Sequence, residues 1–344
     1  MKKILSLLLV LSLLLSACTN GGGAPIEGPD ENSVVDGTGQ TLAIPQNKED
    51  TTIATVYAVS VPFLVALELS ERVVAVNVKS KFWTEADEHL AAAGSVGRGT
   101  VDLEALAELS PGVLVHRSND PSTVEAVQGK LEIPVFCITV EDLSDIQNTL
   151  AIIGRYFGKE ARAEEVAAWL DGKFAMIAEL VKDIPEAEKK TALVMGGELG
   201  RVAGGDMLQS WMIEQAGGIC VAKDVEENRN WSNVGVETVF EWDPDFLFCT
   251  SSTALDYTVE SIQKDPVWSA LAAVQREQVY HLPAKIDSWD MPGISCALGT
   301  MYMLHRMYPE RMSAETLQAE IDEYYTFLFG KTFEASYLGY ELGG

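Results

Sequence analysis

Hydrophobic and polar positions alternate between two periods along most of the chain. Short β-rich apolar runs predict strands at 52–60 (TIATVYAVS), 72–77 (RVVAVN), 113–116 and 134–139 (PVFCIT). Between them, 61–69, 103–109 (LEALAEL) and 123–131 carry helical spacing. Strands alternating with helices predict a parallel sheet covered on both faces. The alternation resumes after residue 185, with strands predicted at 191–195 (TALVM), 246–249 and 278–282 (QVYHL) and helices at 207–215, 236–241 and 299–307.

Between the halves, Leu150, Ile153, Phe157, Val166, Leu170, Phe174, Ile177 and Val181 recur at or near three- or four-residue multiples, the mark of helix. Gly158 breaks this stretch and leaves one element from Glu160 to about Lys182, about 35 Å long at 1.5 Å per residue. The expected fold is therefore α/β: two Rossmann-like lobes with central parallel sheets, joined by one long stiff helix, with a ligand cleft between them. The expected divisions are 51–143 for the N-terminal lobe, 144–184 for the linking helical segment and 185–344 for the C-terminal lobe.

The first fifty residues have a different texture. Met1-Lys2-Lys3 is a basic start, and Ile4 to Leu15 is an apolar run too short to span a bilayer but suited to a signal peptide. It runs into Leu15-Ser16-Ala17-Cys18, which resembles a bacterial lipobox. The expectation is a signal peptide over 1–17 and lipidation of Cys18. Residues 18–50, rich in Gly, Pro, Asn, Asp and Glu, read as a flexible tether. The protein is expected outside the cytoplasm, anchored to the cell membrane through Cys18.

Charge removes several function classes. With 51 Asp and Glu against 25 Lys and Arg, the formal charge is −26. Losing Lys2 and Lys3 with the signal peptide takes it to −28. Nucleic acid is excluded as a partner, since phosphate binding needs a basic face. Adhesion to anionic lipid by charge alone is excluded on the same ground. Four dispersed His (89, 116, 281, 305), with no HxH or HxxxH pair, give no support to a protein-built metal site. Cys137, Cys220, Cys249 and Cys296 lack CxxC spacing, and their disulfide state stays open at this stage. No Walker loop, GxSxG elbow or GxGxxG behind a strand is present, so no enzyme is expected.

Several ordered segments carry a family resemblance. They are VDLEALAELSPGVLV at 101–115, GDMLQSWMIEQAGG at 205–218, WSNVGVETVFEWDPDFLF at 231–248, DPVWSALAAVQREQVYHL at 265–282 and DSWDMPGISCALGTMYMLHRMYP at 287–309. In this order, behind a lipobox, they resemble the iron-chelate, haem and cobalamin class of substrate-binding lipoproteins of bacterial ABC importers, the long-helix class III. The resemblance implies a monomer that captures a metal chelate, an iron-siderophore first among the choices. The chelate would pass to an ABC permease dimer and its ATPase, with no permanently bound cofactor. Haem, cobalamin or molybdate/tungstate is the alternative cargo. A lipid-anchored metal-chelate enzyme is the alternative of a different class. The resemblance also implies one docking glutamate at the tip of each lobe, which by motif position are Glu104 and Glu237. Loops at strand C-termini, where open α/β sheets place ligands, supply the ligand-binding candidates Tyr57, Trp83, Arg98, Arg117, Arg201, Trp231 and Trp289. Guanidinium forks suit anionic chelate oxygens, and aromatic rings suit the apolar flank of a siderophore or macrocycle. Tyr57 or His116 would supply an axial ligand if the cargo were haem.

Overall fold

The computed structural model describes residues 30–77, 81–97, 100–225, 230–250, 255–285 and 287–342. Cys18 and Arg98 lie outside these residues. In the N-terminal lobe five strands form a sheet in the order Gly94–Ser95, Val73–Val76, Ile53–Thr55, Val113–Arg117, Val135–Ile138, every pair parallel. A parallel sheet must bury both faces, and the side chains divide accordingly. Ala54, Ala75, Leu114 and Val135 pack into one apolar cluster, while Ile53, Val113, Val115 and Phe136 join the larger one. Asp102, Asp120 and Asp142 each cap a helix by accepting backbone N–H bonds, so the short polar loops after the strands also start the next helices.

The C-terminal lobe repeats this plan. Thr191–Met195 lies between Phe246–Cys249 and Ile219–Cys220, Val279–His281 flanks Phe246–Cys249, and all these pairs are parallel. Arg201–Val202 and Ser232–Asn233 close one edge in antiparallel pairing. Between the lobes run Leu143–Phe157 and the 22-residue helix Glu160–Val181, separated by Gly158 at φ 73°. The architecture is the bilobed α/β arrangement with a long connecting helix that the resemblance implies.

Two regions depart from the sequence reading. Inside the segment read as tether, Ser33–Val35 and Thr41–Ala43 form an antiparallel hairpin docked on the N-terminal lobe. Its turn is organised by the buried Asp36, whose carboxylate accepts bonds from the backbone N–H of Thr38 and Gln40 and from that of Cys137 on the neighbouring strand. Val34 and Leu42 are buried beneath it. At the other end, the helix Ala314–Phe329 packs on the C-terminal lobe through Tyr324 and Tyr325 but also reaches beyond it. It runs antiparallel along the linking helix toward the N-terminal lobe, pairing Glu320 with Lys173 at 2.6 Å and the Phe327 carbonyl with Arg162 at 3.0 Å.

Candidate functional site: the cleft between the lobes

The strand Ile53–Thr55 ends in a hydroxyl-braced turn. Thr55 Oγ1 lies 2.7 Å from Ser60 Oγ and accepts the Tyr57 N–H at 3.1 Å, while Ser60 Oγ donates to the Tyr57 carbonyl at 2.7 Å. This turn holds the Tyr57 ring half-buried at the strand's C-terminal end. Burial first, and then the Glu141 carboxylate, push the Tyr57 hydroxyl up to about 12, with the Arg117 guanidinium acting in the opposite direction. Tyr57, Arg117 and Glu141 thus share one electrostatic neighbourhood, built from the ends of three adjacent strands. Arg117 is 46% exposed and sits 3.5 Å from Asp120. Burial works against ionisation of Asp120, but hydrogen bonds from Thr123, Ser122 and His116 outweigh it and hold the carboxyl far below its usual range. Asp120 is therefore a permanent anion beside Arg117.

Across the cleft, the C-terminal lobe contributes the start of the helix Leu208–Gln215, the Asn230-Trp231 corner and the turn at Met291-Pro292. Together with Glu141 of the N-terminal lobe they enclose a cavity of about 240 Å³. Gln209 is positioned by its Nε2, which donates to the Asp290 carbonyl at 2.7 Å. The Trp231 ring packs at Gly196, the residue that follows the Thr191–Met195 strand. A Cβ on Gly196 would stand 2.8 Å from the Trp231 ring, so the glycine there makes room for the indole. Arg201 belongs to the same corner, since its carbonyl accepts the Gly196 N–H at 2.6 Å. Its Nε is buried and has no hydrogen-bond partner among the described residues.

The seven ligand candidates therefore separate. Tyr57 and Arg117 share the N-terminal side of the cleft with Glu141, Trp231 lines the cavity, and Arg201 sits beside Trp231. Trp289 is elsewhere, and Trp83 is packed away beneath a small void beside Met291 and Pro292. Trp289 is 0% exposed, and its Nε1 donates to Tyr325 Oη at 3.0 Å in the core beneath the helix Ala314–Phe329. Trp83 is 3% exposed and stacks on Phe329 with ring centroids 5.8 Å apart. A loop tryptophan looks the same in sequence whether it faces a ligand or seals a helix. Their burial corrects both assignments. His116 is 2% exposed and its Nε2 lies 3.2 Å from Asp120, so burial, which also lowers its affinity for a proton, keeps its ring out of the cleft. Sequence reading missed Glu141, Gln209 and Asn230. Gln209 lies inside a quoted segment, Asn230 beside one and Glu141 near a strand end, but no residue-type argument marks them out.

The two tip glutamates are exposed, and the structure reveals why they correspond. Leu103–Leu109 and Val236–Trp242 are both seven-residue helices with a glutamate at the second position and a fully buried side chain at the fourth (Leu106, Val239). Each ends on a non-glycine residue at positive φ (Ser110 at 43°, Asp243 at 39°) followed by proline and a central strand. Glu104 and Glu237 hold the same place in two copies of one structural unit. Neither forms an ion pair within the described residues.

The four cysteines Cys137, Cys220, Cys249 and Cys296 are free and buried. Burial pushes the Cys137 and Cys249 thiols up to about 12, which makes them inert small hydrophobes at neutral pH. Among the described residues no group of three or more His, Cys, Asp or Glu is placed to hold a metal ion, and no helix is long and apolar enough to cross a membrane.

Comparison with known proteins agrees with this geometry. A sequence profile described as "Periplasmic binding protein" matches residues 53–286. The molybdate-binding protein MolA of Haemophilus influenzae is 22% identical over 268 residues, spanning 72% of this chain and 74% of MolA. The uncharacterized ABC transporter substrate-binding lipoprotein YvrC of Bacillus subtilis is 22% identical over 315 residues, or 88% of this chain and 96% of YvrC. Among solved structures, MolA bound to molybdate superposes with a TM-score of 0.76 at 18% identity, covering 88% of this chain and 99% of MolA. A periplasmic solute binding protein from Veillonella parvula gives 0.74 at 24% identity, covering 89% and 94%.

Proposed function

Because the chain belongs to the periplasmic binding protein family, whose relatives include substrate-binding components of ABC transporters, we propose that it is an extracytoplasmic lipoprotein that captures an anionic metal-bearing ligand between its lobes. It then delivers the ligand to a permease dimer and its ATPase. The carrying observation is the cleft itself. Glu141 of one lobe lines a cavity with Gln209, Asn230 and Trp231 of the other, and Tyr57 and Arg117 share the electrostatic neighbourhood of Glu141 at the strand ends. A phenol that stays protonated, a guanidinium and carboxamides supply hydrogen-bond donors for ligand oxygens, while the indole covers an apolar flank.

An iron-siderophore remains the first cargo on the resemblance. A second reading, a compact oxyanion such as molybdate, is favoured by the cavity of about 240 Å³, which falls below the roughly 300–1,000 Å³ common for sites of drug-sized ligands. Anchoring rests on Cys18. Docking rests on Glu104 and Glu237, because two matched exposed carboxylates can read the spacing of two matched cationic sockets. Titration of intrinsic tryptophan fluorescence with ferric siderophores, haem, cobalamin, molybdate and tungstate tests the reading. One of these should quench saturably at micromolar concentration, and Trp231→Phe should reduce the signal. Absence of quenching by all of them would overturn the ligand assignment.

A further inference from the structure

The linking helix Glu160–Val181 is not the lobes' single connection among the described residues, since a second segment also touches both. After the C-terminal lobe, Ser313 caps the helix Ala314–Phe329 near the far end of the linking helix, where Arg311 bonds the Leu180 carbonyl at 2.7 Å and Asp183 at 2.5 Å. From there the two helices run antiparallel and are joined throughout. Lys173 holds Glu320 and Glu323 at 2.6 and 2.7 Å, and Trp169 Nε1 donates to Glu323 at 3.0 Å. The Trp169 and Phe327 rings stack at 5.7 Å. Arg162 closes the pairing. Its Nη2 donates to the Phe327 carbonyl, its Nε donates to the Ala66 carbonyl of the N-terminal lobe at 2.9 Å, and its guanidinium lies 4.2 Å over the Phe327 ring.

The chain then grips the N-terminal lobe beyond the end of the linking helix. Phe329 stacks on Trp83, Tyr337 Oη donates to the Glu85 carbonyl at 3.0 Å, and Lys331 reaches the Ala86 carbonyl at 3.5 Å. The same segment is fastened to the C-terminal lobe by Lys285, which donates to the Ser336 carbonyl at 3.2 Å, and by Tyr324, which donates to Asp287 at 3.0 Å. The grip on Glu85 and Ala86 borders an open polar groove of about 570 Å³.

We propose that residues 314–340 are an inter-lobe strap, a second strut beside Glu160–Val181, whose clasp on Trp83, Glu85 and Ala86 sets the spacing of the two lobes. One helix joining two bodies leaves bending and twisting about its ends available. Two antiparallel elements fixed to both bodies remove most of the twist and leave bending at the clasp. No clasp residue lines the cavity of about 240 Å³, so lobe spacing can be altered without substituting a side chain that lines it. Trp83 then has a definite task as the N-terminal lobe's half of the clasp.

Spin labels attached through azidophenylalanine at the exposed positions 108 and 241 report lobe spacing without using the buried cysteines. Pulsed-dipolar distances should give one narrow distribution for the otherwise unaltered chain. In the triple variant Phe329→Ala, Lys331→Ala, Tyr337→Phe the distribution should broaden or move by several ångströms, while far-UV circular dichroism stays unchanged. Superimposable distributions would overturn the proposal. If the triple variant loses its cooperative unfolding transition, Tyr337→Phe combined with Lys331→Gln, which removes only two surface hydrogen bonds, carries the same test. The distances are read without ligand, so their outcome is independent of whether the proposed cargo is correct.

Discussion

Asp287 is where the protein should be most sensitive to pH. It is fully enclosed beside the turn that carries Met291 and Pro292, and it accepts hydrogen bonds from Ser295 Oγ at 2.9 Å and Tyr324 Oη at 3.0 Å. A cavity of about 10 Å³, room for one water, separates it from Ala58, Val59, Pro62 and Trp83, none of which carries charge. Burial, reinforced by the neighbouring Asp290 and only partly opposed by the two hydroxyl donors, pushes its carboxyl from 3.8 up to about 7. The sign follows from proton linkage. The folded state holds this proton more tightly than the unfolded state, so stability is lost as pH rises from about 4 to about 7 and then levels off. At 1.36 kcal/mol per pH unit, the ionisation penalty is about 2 kcal/mol at pH 5 and about 4 kcal/mol at pH 8. Asp287→Asn keeps the shape and the hydrogen-bonding capacity but cannot ionise. Urea unfolding of both proteins at pH 5 and pH 8 should therefore show the variant gaining roughly 2–3 kcal/mol relative to wild type between the two pH values. Parallel stabilities at both pH values would refute the assignment of a buried, proton-holding carboxyl.

Two further outcomes test the cleft and the tips separately. Reversing Glu104→Arg and Glu237→Arg should abolish delivery to the permease in a transport assay while leaving the fluorescence titration unchanged. Exposed pairs are worth only about 0–1 kcal/mol each, so charge reversal, which adds repulsion, is more telling than neutralisation; equal loss of ligand affinity would sink the docking role. Gly196→Ala should push the Trp231 ring off the strand end, because the added methyl would lie 2.8 Å from it. A shifted tryptophan emission maximum with weakened ligand binding is expected, and an unchanged spectrum would show that the indole does not depend on that contact.

How far the sequence could be read depends on whether each signal is local. Phe246–Cys249 and Thr191–Met195 match their predicted limits because a strand buried on both faces is a continuous apolar run. The first strand is shorter than predicted, Ile53–Thr55 rather than 52–60, because Thr55 and Ser60 divert the chain into the turn that presents Tyr57. The hairpin at 33–43 reads as tether because its organising residue is an aspartate among Gly, Thr and Gln. Only its partner strand, 101 residues away at Cys137, makes that aspartate structural. The helix Ala314–Phe329 has a legible apolar face, but nothing in its own residues says that Trp169 and Trp83 will meet it. The misplaced tryptophans follow from the same gap: Trp83 and Trp289 seal contacts with Phe329 and Tyr325, residues that lie 246 and 36 positions further along the chain.

The protonation state of Tyr57 bears on which cargo the cleft can hold. A tyrosine that ligates haem iron or a bare ferric ion does so as phenolate, and an adjacent cation would favour that form. Here the surroundings act the other way, since burial and Glu141 raise the hydroxyl to about 12 despite Arg117. At neutral pH roughly one molecule in 100,000 would carry the phenolate in the empty cleft. Tyr57 therefore meets a ligand as a neutral O–H donor beside a guanidinium, a pair suited to oxygen atoms whose metal is already coordinated by something else. A chelate or an oxyanion satisfies that condition, whereas a haem iron would have to displace the raised phenol proton on binding, and the buried His116 offers no exposed nitrogen in its place. This favours the chelate and oxyanion readings over the tetrapyrrole on the chemistry of one side chain, and it does so independently of the cavity's size.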